Sequence, residues 1–441
     1  MRSTNFLIKG VLGAAVFFSF VGVAAADPTT QTADRPDSWL VLYNLSDPDS
    51  ITWAQWFQQE RGIPAENMLG LVTSTSEGLP DGAAAETQIY GPVRQYLSAN
   101  PQVGERVMGI IAGYRIPGHY RLRNGLPVPG GGPGGFAIAS GLEDLNNELK
   151  EVNPHVPPHP GTALPGARLT RASMPAGHYI VVRIDAGTLD ATRQITLRAQ
   201  RVVRDGYFLP WHRAYYDYSD PDLPVACRCW YWLMQTVNSS EFPEIPWVEF
   251  DDDTEQTPND VVRFGTYDVT GWANFRLRGT PEGPRVLAYN LNSWGATTVR
   301  SIMDGQRYVP NAIDAGFAAA IGATGEPASV IGPFPDTLLA GLREGWTLGE
   351  SFYVSNPYND WVWILVGDPF LYIQNWFGAL LPGDLDADGD VDLTDFARFS
   401  NCFTGSDVPA ETGCAVADLD QDGDVDLLDF TVFQRHFTGA L

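Results

Sequence analysis

Aspartates recur at fixed spacing near the carboxyl end of the chain, in the segments 384–395 and 418–429. Each segment has Asp at positions 1, 3, 5, 7, 9 and 12 and Gly at position 6, and the two repeats are 34 residues apart. Alternate carboxylates turn oxygens toward one point, and glycine permits the sharp turn that wraps an ion. Position 7 offers its backbone carbonyl, position 9 often acts through water, and position 12 closes the shell from the next helix.

Hard oxygen ligands in this number favour Ca²⁺ over Mg²⁺, which keeps its waters in a tight octahedron. The sequence therefore predicts two calcium ions as cofactors. Their predicted ligand residues are Asp384, Asp386, Asp388, Asp390, Asp392, Asp395, Asp418, Asp420, Asp422, Asp424, Asp426 and Asp429.

The same three phenylalanines follow each loop at a spacing of i, i+3 and i+7, which places each trio on one face of a helix. They are Phe396, Phe399 and Phe403, then Phe430, Phe433 and Phe437. We expect the two helices to pack together around a small shared core. Such a module has little core of its own, so calcium and a disulfide would contribute much of its stability.

Acidic residues give the chain a net charge of -25 and a pI near 4.4, which argues against nucleic acids and anionic membranes as partners. From residue 383 to the end, thirteen Asp and one Glu face two Arg, a net charge of -12. Like charge at this density resists compaction unless cations neutralise it, in accord with the calcium prediction.

The repeat, with its paired helices, resembles type I dockerins, which dock onto cohesins and often deliver polysaccharide-degrading enzymes to scaffolds. The resemblance covers residues 383–441 and implies a cohesin-like or cell-surface protein partner. In those modules Ser-Thr often precedes the last ligand and helps select the cohesin. Here the pairs are Leu393-Thr394 and Leu427-Leu428, which points to a partner with a more apolar contact surface, or to an intramolecular or anchoring role.

Four cysteines fit an oxidising compartment. Cys402 and Cys414 flank the connection between the acidic loops and are predicted to form a disulfide. Cys227 and Cys229 are one residue apart, so a bond between them would be strained. A metal site with His212, a structural role and a free state are the alternatives.

The amino terminus has the features of a secretory signal, with a basic start, an apolar stretch from Gly10 to Val23 and an A-x-A site ending at Ala26. The predicted organisation is a signal peptide at 1–26, a flexible leader at 27–38, a large domain at 39–377, a linker at 378–383 and the calcium module at 384–441. An exported protein, secreted or at the cell surface and without a membrane span after cleavage, is the expectation. An uncleaved anchor is the alternative.

Short apolar runs alternate with amphipathic stretches across the large domain, which predicts an α/β fold with a mostly parallel sheet covered by helices on both faces. Predicted strands are 39–43, 68–72, 107–111, 179–184, 285–289 and 361–366. Predicted helices are 49–60, 86–98, 189–204, 312–321 and 336–344, and residues 205–272 are predicted to be an insertion.

Residues 39–377 resemble an uncharacterised family of exported bacterial proteins that often co-occurs with exosortase-type sorting systems. The segments that carry this resemblance include Arg61–Pro64, Val182–Asp185 and Trp361–Pro369. The resemblance implies a fold and an exported setting, but no established reaction.

The closing strand and Gly367-Asp368-Pro369 also resemble gingipain-type cysteine peptidases of the caspase-like fold, which need a His and Cys pair. The matching regions, 289–295 and 315–322, contain neither residue. The resemblance therefore implies a peptidase without its dyad, or a different chemistry.

A hydrolase acting on the O-glycosyl bonds of extracellular polysaccharide is a further alternative, suggested by the dockerin resemblance. It would need two carboxylates about 5–10 Å apart. The candidates at predicted strand ends are Asp185, Glu249, Glu326 and Asp368. Each also has a structural explanation, because an Asp or Glu at such a position can cap a turn or pair with an Arg.

Overall fold

The structure is a computed structural model that describes most of the chain from residue 31 onward. The described residues are 31–123, 126–127, 135–145, 151–156, 167–205, 213–218, 247–251, 261–265, 285–289, 294–301, 308–325, 333–359, 361–373, 383, 385, 391–406, 408–410, 414, 417–420 and 422–437. The predicted signal peptide, 1–26, lies outside these ranges, as do Glu326, Cys227, Cys229 and His212.

Seventeen strands are described. They are β1 Trp39–Asn44, β2 Met68–Leu71, β3 Gly78–Leu79, β4 Gly109–Ala112, β5 His119–Tyr120, β6 Leu122–Arg123, β7 Leu126–Pro127, β8 Phe136–Ala137, β9 Glu151–Val152, β10 Ile180–Arg183, β11 Arg213–Tyr218, β12 Trp247–Asp251, β13 Val261–Gly265, β14 Arg285–Tyr289, β15 Phe317–Ala323, β16 Tyr358–Asn359 and β17 Trp363–Gly367.

Eleven α-helices are described. They are α1 Pro48–Arg61, α2 Gly82–Ala85, α3 Gly91–Ala99, α4 Pro101–Gly104, α5 Ile138–Glu143, α6 Leu189–Asp205, α7 Tyr308–Asp314, α8 Pro335–Arg343, α9 Leu348–Ser355, α10 Leu393–Cys402 and α11 Leu427–His436. A π-helical turn, Glu86–Tyr90, joins α2 to α3. Among the described residues, no helix is both long and apolar enough to cross a bilayer.

Ten strands form the main sheet in the order β12-β11-β13-β14-β15-β17-β10-β4-β1-β2. Parallel pairs join β1 to β2 and β4, and β4 to β10, while β17 runs antiparallel to β15. The predicted α/β class with a mostly parallel sheet is therefore confirmed. Within the predicted insertion, 205–272, the three described strands extend one end of this sheet.

Local sequence explains why α1 lies where it does. The side chain of Asp47 accepts hydrogen bonds from the amides of Asp49 and Ser50, so the cap precedes the predicted Asp49 or Ser50. The helix ends at Gly62, whose left-handed φ of 63° suits glycine. Its buried face packs Trp53 and Phe57 toward the sheet.

The predicted helix at 312–321 is wrong. Helix α7 ends at Asp314, and Phe317–Ala323 is a fully buried strand of the main sheet. Alanine favours helix by propensity, but here the small size of alanine and glycine suits a crowded strand. A side chain on Gly322 would come within 2.7 Å of Val309, and one on Gly367 would meet Ala319 at the same distance.

The described residues form two separate hydrophobic cores. The larger runs from Ala33 to Ile373 and includes residues of the main sheet and of the helices that pack against it. The smaller comprises Leu385, Val391, Phe399, Ala417, Val425 and Phe433. The carboxyl-terminal residues thus pack around a centre of their own.

Candidate functional site

Helices α10 and α11 each begin at an aspartate of the repeated loops. Asp392 caps α10 through the amide of Thr394, and Asp426 caps α11 through the amide of Leu428, each at 2.6 Å. The position-12 aspartate completes a capping box in both helices. The predicted loop-to-helix junctions are therefore present twice.

Position 12 also ties each helix to the start of its loop. In the first repeat, Asp395 accepts hydrogen bonds from the amides of Leu385 at 2.6 Å and Asp392 at 2.8 Å. In the second, Asp429 accepts from Leu419 and Asp426 at 2.6 and 2.7 Å. Aspartate is one methylene shorter than the glutamate that usually occupies position 12 of such loops, so it brings the helix and the loop close together.

The first loop is described only in part. Asp392 and Asp395 lie in the described residues, whereas Asp384, Asp386, Asp388 and Asp390 lie outside them. Their role as ligands stays a prediction.

The second loop brings its carboxylates together in two groups. Oxygens of Asp418, Asp420 and Asp422 lie within 4.8 Å of one another, and so do those of Asp424, Asp426 and Asp429. The first group is at least partly exposed, whereas the second is buried. Gly423, at position 6, has a φ of 99°, which glycine adopts without a steric penalty.

These residues fit a calcium ion. The Oδ1 atom of Asp418, at position 1, is buried without a hydrogen-bond partner, which is costly unless a cation takes its place. Desolvation and the charge of Asp429 raise the pKa of Asp420. This repulsion among hard oxygen donors is what a divalent cation relieves.

The predicted disulfide is present between Cys402 and Cys414, with Cα atoms 5.3 Å apart. It joins the last residue of α10 to the segment that leads into the second loop. Between the helices, the rings of Phe399 and Phe433 lie 5.4 Å apart, and those of Phe396 and Phe430 lie 5.7 Å apart. The two aromatic faces therefore pack together as expected.

Leucines at the start of each helix face solvent. Leu393 is 72% exposed, Leu427 68% and Leu428 59%. Large apolar side chains at this exposure, one set per repeat, offer apolar contact surface to a partner protein.

Asp185, a catalytic candidate of the large domain, is fully buried in an arginine cluster. It pairs with Arg183 and with Arg300, whose Nε lies 2.9 Å from its carboxylate. Both arginines also donate to the carbonyl of Ile116, at 2.5 and 2.8 Å. The cluster therefore clamps the loop that follows β4. The part played by Arg300, far away in sequence, was not predicted.

Asp368 is also fully buried and pairs with Arg61, at 2.9 Å between Nη2 and Oδ2. Arg61 ends α1, and the ring of Phe370 packs on Trp39, the first residue of β1. A side chain on Gly349 would come within 3.4 Å of Trp39, Pro369 and Ile180, the first residue of β10. Asp368 thus lies at the amino edge of the parallel strands, although the one residue pair that joins β10 to β17, Arg183 and Val366, is parallel in sense.

Asp185 follows β10 at the carboxyl edge of those strands, where its Oδ1 accepts a hydrogen bond from the amide of Arg115. Even a four-residue strand separates the two edges by roughly 13 Å. Asp185 and Asp368 therefore do not form the carboxylate pair that glycoside hydrolysis requires. Glu326 and Glu249 allow no such comparison, because Glu326 lies outside the described residues and Glu249 is described in its backbone alone.

A cavity of about 350 Å³ opens at the amino edge, and Arg61, Phe370 and Tyr372 are among its lining residues. It contains two carboxylates, Asp34 and Glu60. Asp34 pairs with Arg168, and Glu60 accepts a hydrogen bond from Gln200. Both acids therefore have partners within the fold.

His119 is a buried histidine on β5, beside the arginine cluster. Burial and the charges of Arg183, Arg121 and Arg300 lower its pKa to about 4. Local sequence does not predict this shift, because it depends on burial and on Arg183 and Arg300, which are distant from His119 in the chain. Of the two regions that resemble the peptidase dyad, 315–322 comprises the two-residue turn after α7 and most of β15, and 290–293 lies outside the described residues.

Comparison with curated proteins finds no match. A solved structure described as "Structure of Protease" aligns over 77% of this chain and 78% of that chain, with 10% identity and a TM-score of 0.41. A similarity at that level supports no conclusion about fold or activity. The family model for the dockerin type I domain matches residues 382–438, so this part of the chain is a type I dockerin domain.

Proposed function

We propose that the carboxyl-terminal module binds two calcium ions and docks the large α/β domain onto a cohesin-like or cell-surface protein. The observation that carries the proposal is the second loop, where six aspartates converge in two groups and Asp418 Oδ1 is buried without a partner. The match to the dockerin family supports it, because type I dockerins interact with cohesins.

The proposal extends to the organisation of the chain. A signal peptide at 1–26, a leader at 27–38, a large domain at 39–377, a linker at 378–383 and a module at 384–441 describe an exported protein, secreted or held at the cell surface. The two separate hydrophobic cores support a boundary between Ile373 and Leu385.

Calcium titration of the full chain tests the first part. We expect about two ions to bind, with a gain in helix, because carboxylate repulsion opposes folding of the apo module. Asp384→Ala with Asp418→Ala should abolish binding. Asp47→Ala, which removes only a helix cap of the large domain, is the control. Full calcium binding by the double variant would refute the proposal.

The exposed leucines test the second part. Leu393→Ser with Leu427→Ser and Leu428→Thr should leave calcium binding intact but change the partner preference toward cohesins that recognise hydroxyls. Binding measured on a panel of cohesins, with and without calcium, checks this. A calcium-loaded protein that binds no cohesin on the panel and no cell surface would contradict docking.

The two candidate activities of the large domain are polysaccharide hydrolysis and that of a degenerate caspase-like peptidase. Glycan hydrolysis that depends on Asp185, Glu326 or Asp368 would support the first. Labelling of Cys227 or Cys229 by a thiol-directed peptidase probe, together with proteolysis, would support an active form of the second.

A further inference from the structure

The segment from Cys402 to Cys414 connects the two halves of the dockerin domain and is closed into a ring by its terminal disulfide. We call residues 402–414 the strap. Its described residues are 402–406, 408–410 and 414. The strap lies against the second calcium loop, not merely between the two helices.

Backbone hydrogen bonds join the strap to the turn of that loop. The amides of Thr404 and Gly405 donate to the carbonyl of Val425 at 2.9 and 3.0 Å. The amide of Val425 donates in return to the hydroxyl of Thr404 at 3.1 Å. At the other end of the strap, the amide of Ala410 donates to the carbonyl of Gly423 at 3.0 Å. The strap therefore fixes the backbone at positions 6 and 8 of the loop.

One contact reaches a predicted ligand residue directly. The hydroxyl of Ser406 donates to Oδ2 of Asp426 at 2.5 Å and lowers the pKa of that carboxyl group. Asp426 stands at position 9 and also caps α11 through its Oδ1 atom. Ser406 therefore orients a carboxylate that belongs to both the loop and the helix.

We propose that the disulfide-closed strap holds the second calcium loop in its binding conformation, which couples calcium affinity at that loop to the redox state of Cys402 and Cys414. The inference rests on the proposed calcium binding. A flexible acidic loop loses conformational entropy when it wraps an ion. A loop that is held by a disulfide-closed strap is already partly ordered, so it loses less entropy on binding. Opening the ring returns that freedom to residues 423–426.

The redox step needs a dithiol reductant. Its two electrons and two protons break the Cys402–Cys414 sulfur–sulfur bond, two thiols form on the chain, and the reductant becomes a cyclic disulfide. Reduction leaves the hydrogen-bonding groups of the strap and the loop chemically unchanged, and it removes only the covalent link that closes the ring.

Single-loop variants of the full chain separate the two sites. Asp384→Ala leaves the second loop intact, and Asp418→Ala leaves the first. Calorimetric titration with Ca²⁺ is done on each, oxidised and reduced. We expect the Kd of the Asp384→Ala protein to rise roughly tenfold on reduction, as an ordering penalty is restored. The Asp418→Ala protein should change by less than about twofold, because the strap hydrogen bonds described go to residues 423–426.

Two further variants exclude other causes. Cys402→Ser with Cys414→Ser should reproduce the weak binding and should no longer respond to reductant, which separates the strap from Cys227 and Cys229. Thr404→Val keeps the disulfide but loses the hydroxyl contact with Val425, and it should weaken binding at the second loop only. Without calcium, the amide of Val425 should exchange hydrogen more slowly in the oxidised than in the reduced protein.

Equal affinities of the oxidised and reduced Asp384→Ala proteins would overturn the strap proposal while leaving calcium binding in place. An equal loss at both loops would overturn it as well. If the oxidised wild-type chain bound no calcium, the proposed function itself would fail, and the inference with it.

Discussion

Asp368 is a fully buried carboxylate whose partner, Arg61, comes from the opposite end of the large domain's sequence. The pair joins the end of α1 to the turn after β17. Removing one member leaves the other charged and desolvated, which is more costly than the loss of the attraction itself.

We therefore expect Asp368→Ala to lower the free energy of unfolding by about 3 kcal/mol. Urea denaturation measures it. Asp37→Ala, in the partly exposed pair with Arg35, is the control and should cost only about 1 kcal/mol. Loss of a glycan-hydrolysing activity without loss of stability would instead make Asp368 a catalytic residue.

His119 makes the large domain sensitive to acid. Its folded pKa, near 4, lies below the ordinary value of 6.5, so the unfolded chain binds the extra proton first as the pH falls. The stability contribution is complete above pH 6.5 and is lost between pH 6.5 and 4. The two pKa values correspond to about 3 kcal/mol.

His119→Gln removes this titration. Urea unfolding at pH 7, 5.5 and 4 should show a shallower loss of stability in the variant than in the wild-type chain. Acid effects on the calcium module cancel in the comparison, because both proteins contain it. Parallel pH profiles for the two proteins would contradict the buried neutral histidine.

At the scale of elements, α1 packs unusually close to the sheet. A side chain on Gly113, just after β4, would come within 2.1 Å of the ring of Trp53 and 2.5 Å of the carbonyl of Leu42. Gly62 at the end of the same helix has open space around it but a left-handed φ. The two glycines are required for different reasons.

Gly113→Ala should destabilise the domain by about 2 kcal/mol, because helix and sheet must separate. Gly62→Ala should cost about 1 kcal/mol, from backbone strain alone. Thermal unfolding compares them. Trp53→Phe provides space and should partly rescue Gly113→Ala but not Gly62→Ala, and equal rescue of both would contradict the packing explanation.

Much of this element structure follows from the sequence. The sequence predicts two of the strands almost to the residue, Trp39–Tyr43 and Arg285–Tyr289, because short continuous apolar runs are typical of buried strands. The failure at Phe317–Ala323 shows the limit, since the same small residues suit a helix or a crowded strand. Likewise, local spacing indicated the two loop-to-helix junctions that Asp392 and Asp426 cap. In contrast, Arg300 joins Asp185 across 115 residues and left no local signal.

At the scale of the whole molecule, two cores imply two unfolding units. Chelation should remove the stability of the dockerin domain and leave the large domain as it was. Differential scanning calorimetry should show one transition that moves to lower temperature with a calcium chelator and one that does not. A single transition that shifts as a whole would indicate that the two cores unfold together.

The position of β17 has a consequence for how the protein is made. Trp363–Gly367 is the last strand of the main sheet to leave the ribosome, yet it lies between β15 and β10. Until it arrives, each half of the sheet has an unpaired inner edge, which favours aggregation. Chains truncated before residue 361 should therefore aggregate during synthesis, whereas chains truncated at residue 382 should fold. The main sheet of the large domain can thus be completed only after β17 has been synthesised.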